Sequence, residues 1–200
     1  MLQWFNEGGI IMWILLTLSI VSWCFIFERL YVIVTESRAA VCIKKQLKES
    51  AYRQGEVLRI IGENASAMAE VLRVACDNER EKKEENVVLT RTQLREETSK
   101  LQRGLTFLEI AASVSPLLGL LGTVLGMVEV FSVIAKIGVG DPTALSSGIS
   151  KALNTTVFGL IVAIPSLAAF SFYERKIENL VRSVDQCATL TLTEMYKDKK

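Results

Sequence analysis

Thr123 lies within one long apolar stretch of the sequence, and Asn154, Thr155 and Thr156 lie within another. Their hydroxyl and amide groups can hydrogen-bond water or a proton-carrying side chain. Polar groups inside a membrane are costly, and those that occur there often mark an ion or proton path. Threonine alone is a weak signal, because its hydroxyl can also bond a carbonyl of its own helix. These four residues are therefore candidates for a proton path.

Small residues recur beside these polar positions. Two sets of four have the spacing i, i+4, i+7 and i+11 of one helix face: Ser115, Gly119, Gly122 and Gly126, then Ala152, Thr156, Gly159 and Ala163. Such faces let membrane helices approach closely. We therefore predict helix packing at Ser115, Gly119, Gly122, Gly126 and Gly159. Tight packing without conduction explains this spacing as well as a pore does, so both alternatives stay open.

The residues needed for most enzyme and metal sites are missing. The chain of 200 residues has no histidine, which excludes Ser-His-Asp and Cys-His catalysis and the zinc sites that contain histidine. It also has no phosphate-binding loop of the GxxxxGKS/T type. Its four cysteines form no CxxC pair, and we expect reduced thiols. The sequence thus predicts no catalytic residue, no metal and no cofactor.

The apolar residues are concentrated in three stretches that carry no charge, residues 8–27, 110–128 and 152–173. About twenty residues of helix cross a hydrocarbon core roughly 30 Å thick. We therefore predict three transmembrane helices, and the alternative is buried helices of a large soluble core. No Lys or Arg precedes the first stretch and no A-x-A site directly follows it. We expect it to be retained rather than removed as a signal peptide.

The distribution of basic residues predicts the orientation of these helices. Residues 28–108 carry 15 Lys or Arg, whereas residues 1–7 carry none, and basic residues near the ends of spans favour the cytoplasm. A membrane-impermeant thiol reagent should then miss Cys42 and Cys76 in intact cells and reach both after lysis. The predicted order is an outer N-terminal segment 1–7, transmembrane helix 8–27, cytoplasmic helical region 28–108, transmembrane helix 109–136, outer periplasmic loop 137–150, transmembrane helix 151–173 and cytoplasmic C-terminal helix 174–200.

The cytoplasmic region has the periodicity of amphipathic helices. Apolar residues over 58–75 follow a 3-4 spacing, with Asn64 as a candidate N-cap. A second stripe leads into the second span, and a lone Gly104 is tolerated in a helix. We therefore predict one continuous helix from about residue 86 to about residue 136. The third span continues through residues 174–196 without Gly or Pro, which predicts a second long helix.

Two segments, SPLLGLLGTVLGM at residues 115–127 and GISKALNTTVFGLIVAIPS at residues 148–166, resemble the MotA/TolQ/ExbB proton-channel family. With the three spans and the large cytoplasmic insert, the resemblance covers nearly the whole chain. It is greatest to the ExbB branch, with the TolQ branch close behind. The resemblance implies an all-α membrane protein with long cytoplasmic helical extensions. It also implies a homopentamer whose second and third helices line a pore, without a cofactor.

The same resemblance implies the partners. Two copies of an ExbD-like or TolR-like single-span chain sit inside the pore, and an aspartate of that chain carries protons. Inward proton flow drives motion of the complex, and a TonB-like or TolA-like protein transmits this motion to the outer membrane. Membrane lipid is expected as a partner and nucleic acid is not. By motif, the pore threonines of the family correspond to Thr123 and Thr156, and we place Thr155 and Asn154 on the same path.

One position departs from the family pattern. Relatives have glutamate in the ISxAL box where Lys151 stands in this chain. Glu129, near the outer end of the second span, can neutralise Lys151, so we predict a charge pair at the outer mouth of the pore. A lysine that reaches the membrane interface unpaired is the alternative.

The predicted function is that of a proton-channel or stator subunit in a bacterial inner-membrane motor. With its ExbD-like partner it would use the proton motive force to energise a TonB-like protein for outer-membrane transport. One alternative is a TolQ-like subunit that serves envelope maintenance or gliding. A second alternative is a passive membrane scaffold that does not conduct. An enzyme is the least supported class.

Overall fold

The computed structural model describes residues 9–52, 54–62, 64–76, 83–137 and 142–197. This part of the chain contains helices joined by turns, which agrees with the predicted all-α class. The predicted outer segment 1–7 lies outside the described residues, as do residues 138–141 of the predicted outer loop. The helices are α1 Gly9–Glu49, α2 Gln54–Gly62, α3 Ala67–Ala75, α4 Lys83–Gln102, α5 Leu105–Ile137 and α6 Pro142–Lys197.

Three helices are long and apolar enough to cross a membrane, over Gly9–Glu49, Leu105–Ala135 and Gly148–Lys197. Less than a third of the apolar part of each is buried within the chain. On α5, for example, Leu117 and Phe131 are 64% and 61% exposed. Apolar surface of this extent is unfavourable in water and fits contact with lipid or with other membrane helices.

A turn at Arg103–Gly104 separates α4 from α5, so the prediction of one continuous helix over residues 86–136 is wrong. Gly104 has a φ of 81°, a left-handed conformation that glycine adopts without steric cost. The residue expected only to weaken the helix therefore interrupts it. By contrast, α6 continues without a break through residues 174–196, as predicted.

The chain forms two compact units. The first unit contains α1 as far as Glu28, α5, and α6 as far as Ser171. Within it, the rings of Phe25 and Phe107 stack with centroids 4.7 Å apart. The second unit contains residues 29–103 and α6 from Phe172 onwards.

In the second unit, the N-cap of α3 is Ser66 and not the predicted Asn64. Ser66 Oγ accepts a hydrogen bond from Ala69 N at 3.3 Å, and Glu36 Oε2 accepts one from Ala67 N at 3.0 Å. Two of the N–H groups that a helix start leaves without an intrahelical partner are thereby satisfied. Asn64 instead donates from its side chain to the last turn of α2 at 2.8 Å.

The four cysteines are free thiols, as expected from their spacing, but they differ in accessibility. Cys24 and Cys42 are exposed, whereas Cys76 and Cys187 are buried. Burial raises the pKa of Cys76 to about 12, so almost no reactive thiolate forms there at neutral pH. The expectation that lysis alone makes Cys76 available to a thiol reagent is therefore wrong for the folded protein.

Candidate functional site

The small-residue faces of α5 and α6 pack against each other within one chain. A methyl group added at Gly119 would lie 2.9 Å from the carbonyl oxygen of Thr155, and one at Gly159 would lie 2.6 Å from that of Ser115. No side chain fits at these distances without separating the helices. We call this line of contact the seam, formed by Ser115, Gly119, Gly122 and Gly126 of α5 and by Ala152, Thr155 and Gly159 of α6.

Thr155 lies inside the seam. Only 2% of this residue is exposed, and its side chain occupies the space that a larger residue at Gly122 would need. Its hydroxyl oxygen is 2.7 Å from the carbonyl oxygen of Ala152 and 3.1 Å from that of Gly119. Since the side chain reaches no surface of the chain, its surroundings favour packing over a position on a pore wall.

Thr123 and Thr156 form a hydroxyl pair across the seam. Their Oγ1 atoms are 2.5 Å apart, and both side chains are half-buried. Each oxygen also lies 3.2 Å from the carbonyl oxygen of Gly119, and Thr123 Oγ1 is 3.3 Å from that of Ala152. A hydroxyl donates one hydrogen bond and accepts others. The pair can therefore donate in either direction, because each member has a carbonyl to receive its hydrogen.

The two carbonyl groups of this cluster were missed by sequence reasoning. Every residue has a carbonyl, so the sequence does not mark those of Gly119 and Ala152 as acceptors. The available signal is the small size of both residues, which allows a side chain from the facing helix to reach the backbone. Asn154, predicted for the same path, is half-buried and does not join the cluster.

The two charges predicted to pair are in contact. Lys151 Nζ lies 3.5 Å from Glu129 Oε2, with the side chains 32% and 66% exposed. Lys151 precedes Thr156 by five residues and Glu129 follows Thr123 by six, which separates the charge pair from the hydroxyl pair by roughly 8 Å along the helices. Among the described residues, no group of three or more Cys, Asp or Glu side chains could hold a metal ion.

The sequence of residues 43–186 matches the MotA/TolQ/ExbB proton channel family. The chain belongs to this family. With its three apolar helices, it is a multi-pass membrane protein of a proton-channel family.

The relatives include members of both the ExbB and the TolQ branch. A biopolymer transport protein ExbB homolog from Methanothermobacter thermautotrophicus is 30% identical over 200 aligned residues, which cover 95% of this chain and 68% of that protein. Biopolymer transport protein exbB1 from Vibrio cholerae is 43% identical over 76 residues, 38% of this chain and 33% of that protein. The Tol-Pal system protein TolQ from Pseudomonas aeruginosa is 34% identical over 91 residues, 46% of this chain and 39% of that protein.

Proposed function

We propose that this chain is the stator subunit of a proton-driven motor in a bacterial inner membrane. Five copies surround a pore that holds the single membrane helices of two ExbD-like or TolR-like partners. The N-terminus and the loop at 137–150 face the periplasm, and residues 28–108 and the C-terminal helix face the cytoplasm. The excess of Lys and Arg in residues 28–108 supports this orientation.

The hydroxyl pair of Thr123 and Thr156 is the observation that carries the proposal. It brings two polar groups from different helices within 2.5 Å of each other inside apolar segments. Both side chains are half-buried and so keep part of their surface available to water or to a partner carboxylate. A proton crossing 100 mV releases about 2.3 kcal/mol, which is comparable to the energy of one or two hydrogen bonds. A path built from hydrogen-bonding groups is therefore suited to this driving force.

The contact between Glu129 and Lys151 supports a second part of the proposal. We assign this pair to the outer mouth of the pore, where it supplies a carboxylate on α5 in place of the family glutamate on α6. Because Lys151 is held by Glu129, it does not present an unpaired positive charge to an incoming proton. In this proposal Glu129 takes the role of the family glutamate.

In this proposal the motor energises a TonB-like protein, which drives transport across the outer membrane. Similarity to biopolymer transport proteins of the ExbB type supports it. The match to a TolQ protein of the Tol-Pal system favours a TolA-like recipient as the second candidate. Coexpression with each kind of recipient, followed by copurification in mild detergent, distinguishes the two.

Proton flux in vesicles tests the proposal most directly. The chain is reconstituted with its single-span partner, and Thr156→Val is compared with Thr17→Val. Thr17 is an exposed threonine of α1 whose hydroxyl bonds only its own helix, at Trp13 O, 2.7 Å away. Thr156→Val should lower the flux by about ten-fold or more, because a lost hydrogen bond to a charged group is worth about 1.5–3 kcal/mol. Thr17→Val should conduct normally.

The measurement of proton flux also tests the alternative that the chain is a passive scaffold. The scaffold alternative is favoured by the fact that both hydroxyls have acceptors within their own chain. Normal flux in Thr156→Val, with unchanged assembly and partner binding, would contradict the role of the pair in conduction. Loss of assembly in that variant would favour the scaffold.

A further inference from the structure

Three hydroxyl groups in the seam share two backbone carbonyl groups. The hydroxyl oxygens of Thr123, Thr155 and Thr156 all lie within 3.2 Å of the carbonyl oxygen of Gly119. Those of Thr123 and Thr155 also lie within reach of the carbonyl oxygen of Ala152, at 3.3 and 2.7 Å. The carbonyl of Ala152 is thus closer to Thr155 than to Thr123.

Each of these carbonyl groups has one acceptor position left for a hydroxyl. A carbonyl oxygen has two lone pairs, and in an α-helix one of them accepts the N–H four residues later. For Gly119 and Ala152 these donors are the backbone N–H groups of Thr123 and Thr156. Three hydroxyl hydrogens therefore compete for two carbonyl positions. Within the chain, the acceptor left for the third hydrogen is another hydroxyl, and Thr123 and Thr156 are the two whose oxygens are 2.5 Å apart.

We propose that Thr155 is a positioning residue, which occupies one carbonyl of the seam and so directs Thr123 and Thr156 to hydrogen-bond to each other. This inference rests on the proposed conduction through that pair. When Thr155 donates to Ala152, only the Gly119 carbonyl is left, and either member of the pair can use it while the other donates to its partner. Without the Thr155 hydroxyl, Thr123 can donate to Ala152 and Thr156 to Gly119. The pair then no longer needs its mutual hydrogen bond.

Thr155→Val and Thr155→Ser separate this role from packing. Valine keeps the branched shape that fills the space beside Gly122 but lacks the hydroxyl, whereas serine keeps the hydroxyl and lacks the methyl group. We expect Thr155→Val to assemble normally and to lose about five-fold in proton flux, the effect of one hydrogen bond. Thr155→Ser, which keeps the hydroxyl, should have the same proton flux as the wild-type chain. A packing role predicts the reverse order, with serine the more damaging substitution.

The double variant Thr155→Val/Thr156→Val shows whether Thr155 acts through the pair. Because Thr156→Val alone already removes the mutual hydrogen bond, the second substitution should lower the flux no further. Additive losses would overturn the positioning role. Normal flux in Thr155→Val, beside a defective Thr156→Val, would also overturn it and leave the proposed function intact. Absence of flux in the wild-type chain with its partner would overturn the proposed function and, with it, this inference.

Discussion

At the scale of single residues, the contact of Lys151 with Glu129 raises a question of energy. The Lys151 side chain is 32% exposed and that of Glu129 is 66% exposed, and ion pairs with this exposure contribute about 0–1 kcal/mol to stability. Removal of either charge should therefore change the unfolding of the protein very little. An effect on proton flux would then reflect the electrostatics of the path and not the fold.

We predict that Glu129→Gln lowers proton flux and leaves Lys151 as an unpaired positive charge at the mouth of the pore. Exchange of the two charges, Glu129→Lys with Lys151→Glu, should restore most of the flux, because the pair is rebuilt and the acid returns to the family position. Glu109→Gln is the matched control, since Glu109 is an exposed carboxylate in the first two turns of α5. Equal flux in Glu129→Gln and Glu109→Gln would contradict the assignment.

The sequence offers Thr155 and Thr156 as candidates for the proton path but does not predict their surroundings. Thr155 and Thr156 are adjacent and differ by about 100° around the helix axis. Which of the two faces the neighbouring helix depends on how α6 is rotated against α5. That rotation is determined by the contacts of Gly119, Gly122 and Gly159 in the folded chain, which no spacing within a single helix specifies.

At the scale of elements, the seam depends on the absence of side chains. We predict that Gly159→Ala destabilises the protein by about 1–3 kcal/mol, because its new methyl group would meet the carbonyl oxygen of Ser115 and the backbone of Gly119. Gly55→Ala is the control, as nothing lies within 4 Å of the position of its methyl group. The stability of both variants is measured by their loss of helicity on titration with a denaturing detergent. Equal midpoints for the two variants would show that α5 and α6 can separate at little cost.

Long elements were predicted correctly from composition, and their interruptions were not. The apolar stretches yield three helices of sufficient length for a membrane, because burying about twenty apolar residues outweighs local preferences. Composition did not predict the helix boundaries at Gly104 and Ser66. A glycine is compatible with a helix or a turn, and either Asn64 or Ser66 can cap a helix. The choice depends on neighbouring groups such as Glu36, which accepts a hydrogen bond from the first residue of α3.

At the scale of the whole molecule, accessibility of thiols tests the orientation. We predict that a single-cysteine variant with Cys42 reacts with a membrane-impermeant reagent in broken cells and not in intact cells. A variant with Cys76 should react in neither, because burial raises the pKa of this thiol to about 12, and should react once the protein is denatured. Labelling of Cys42 in intact cells would reverse the orientation. Labelling of native Cys76 would contradict its burial.

The exposed surface of the first unit is the part of the chain that a second copy could pack against. The small-residue faces of α5 and α6 already pack against each other in the seam within one chain. In a homopentamer, contacts between copies would use the large apolar side chains that remain exposed. On α5 these recur at nearly every turn: Leu117, Leu120, Leu121, Val124, Leu125, Val128 and Phe131.

We predict a homopentamer that copurifies with its single-span partner. Without water-driven hydrophobic association inside the bilayer, helices associate through close packing and hydrogen bonds. A seam that is already closed gives each chain a fixed surface, so that copies can pack without rearranging α5 against α6. Native mass spectrometry in mild detergent should give the mass of five chains, with the partner added when it is coexpressed. Gly159→Ala, which opens the seam, should shift the distribution towards smaller species, whereas Gly55→Ala should not. A stable monomer or dimer in the presence of the partner would contradict the pentamer.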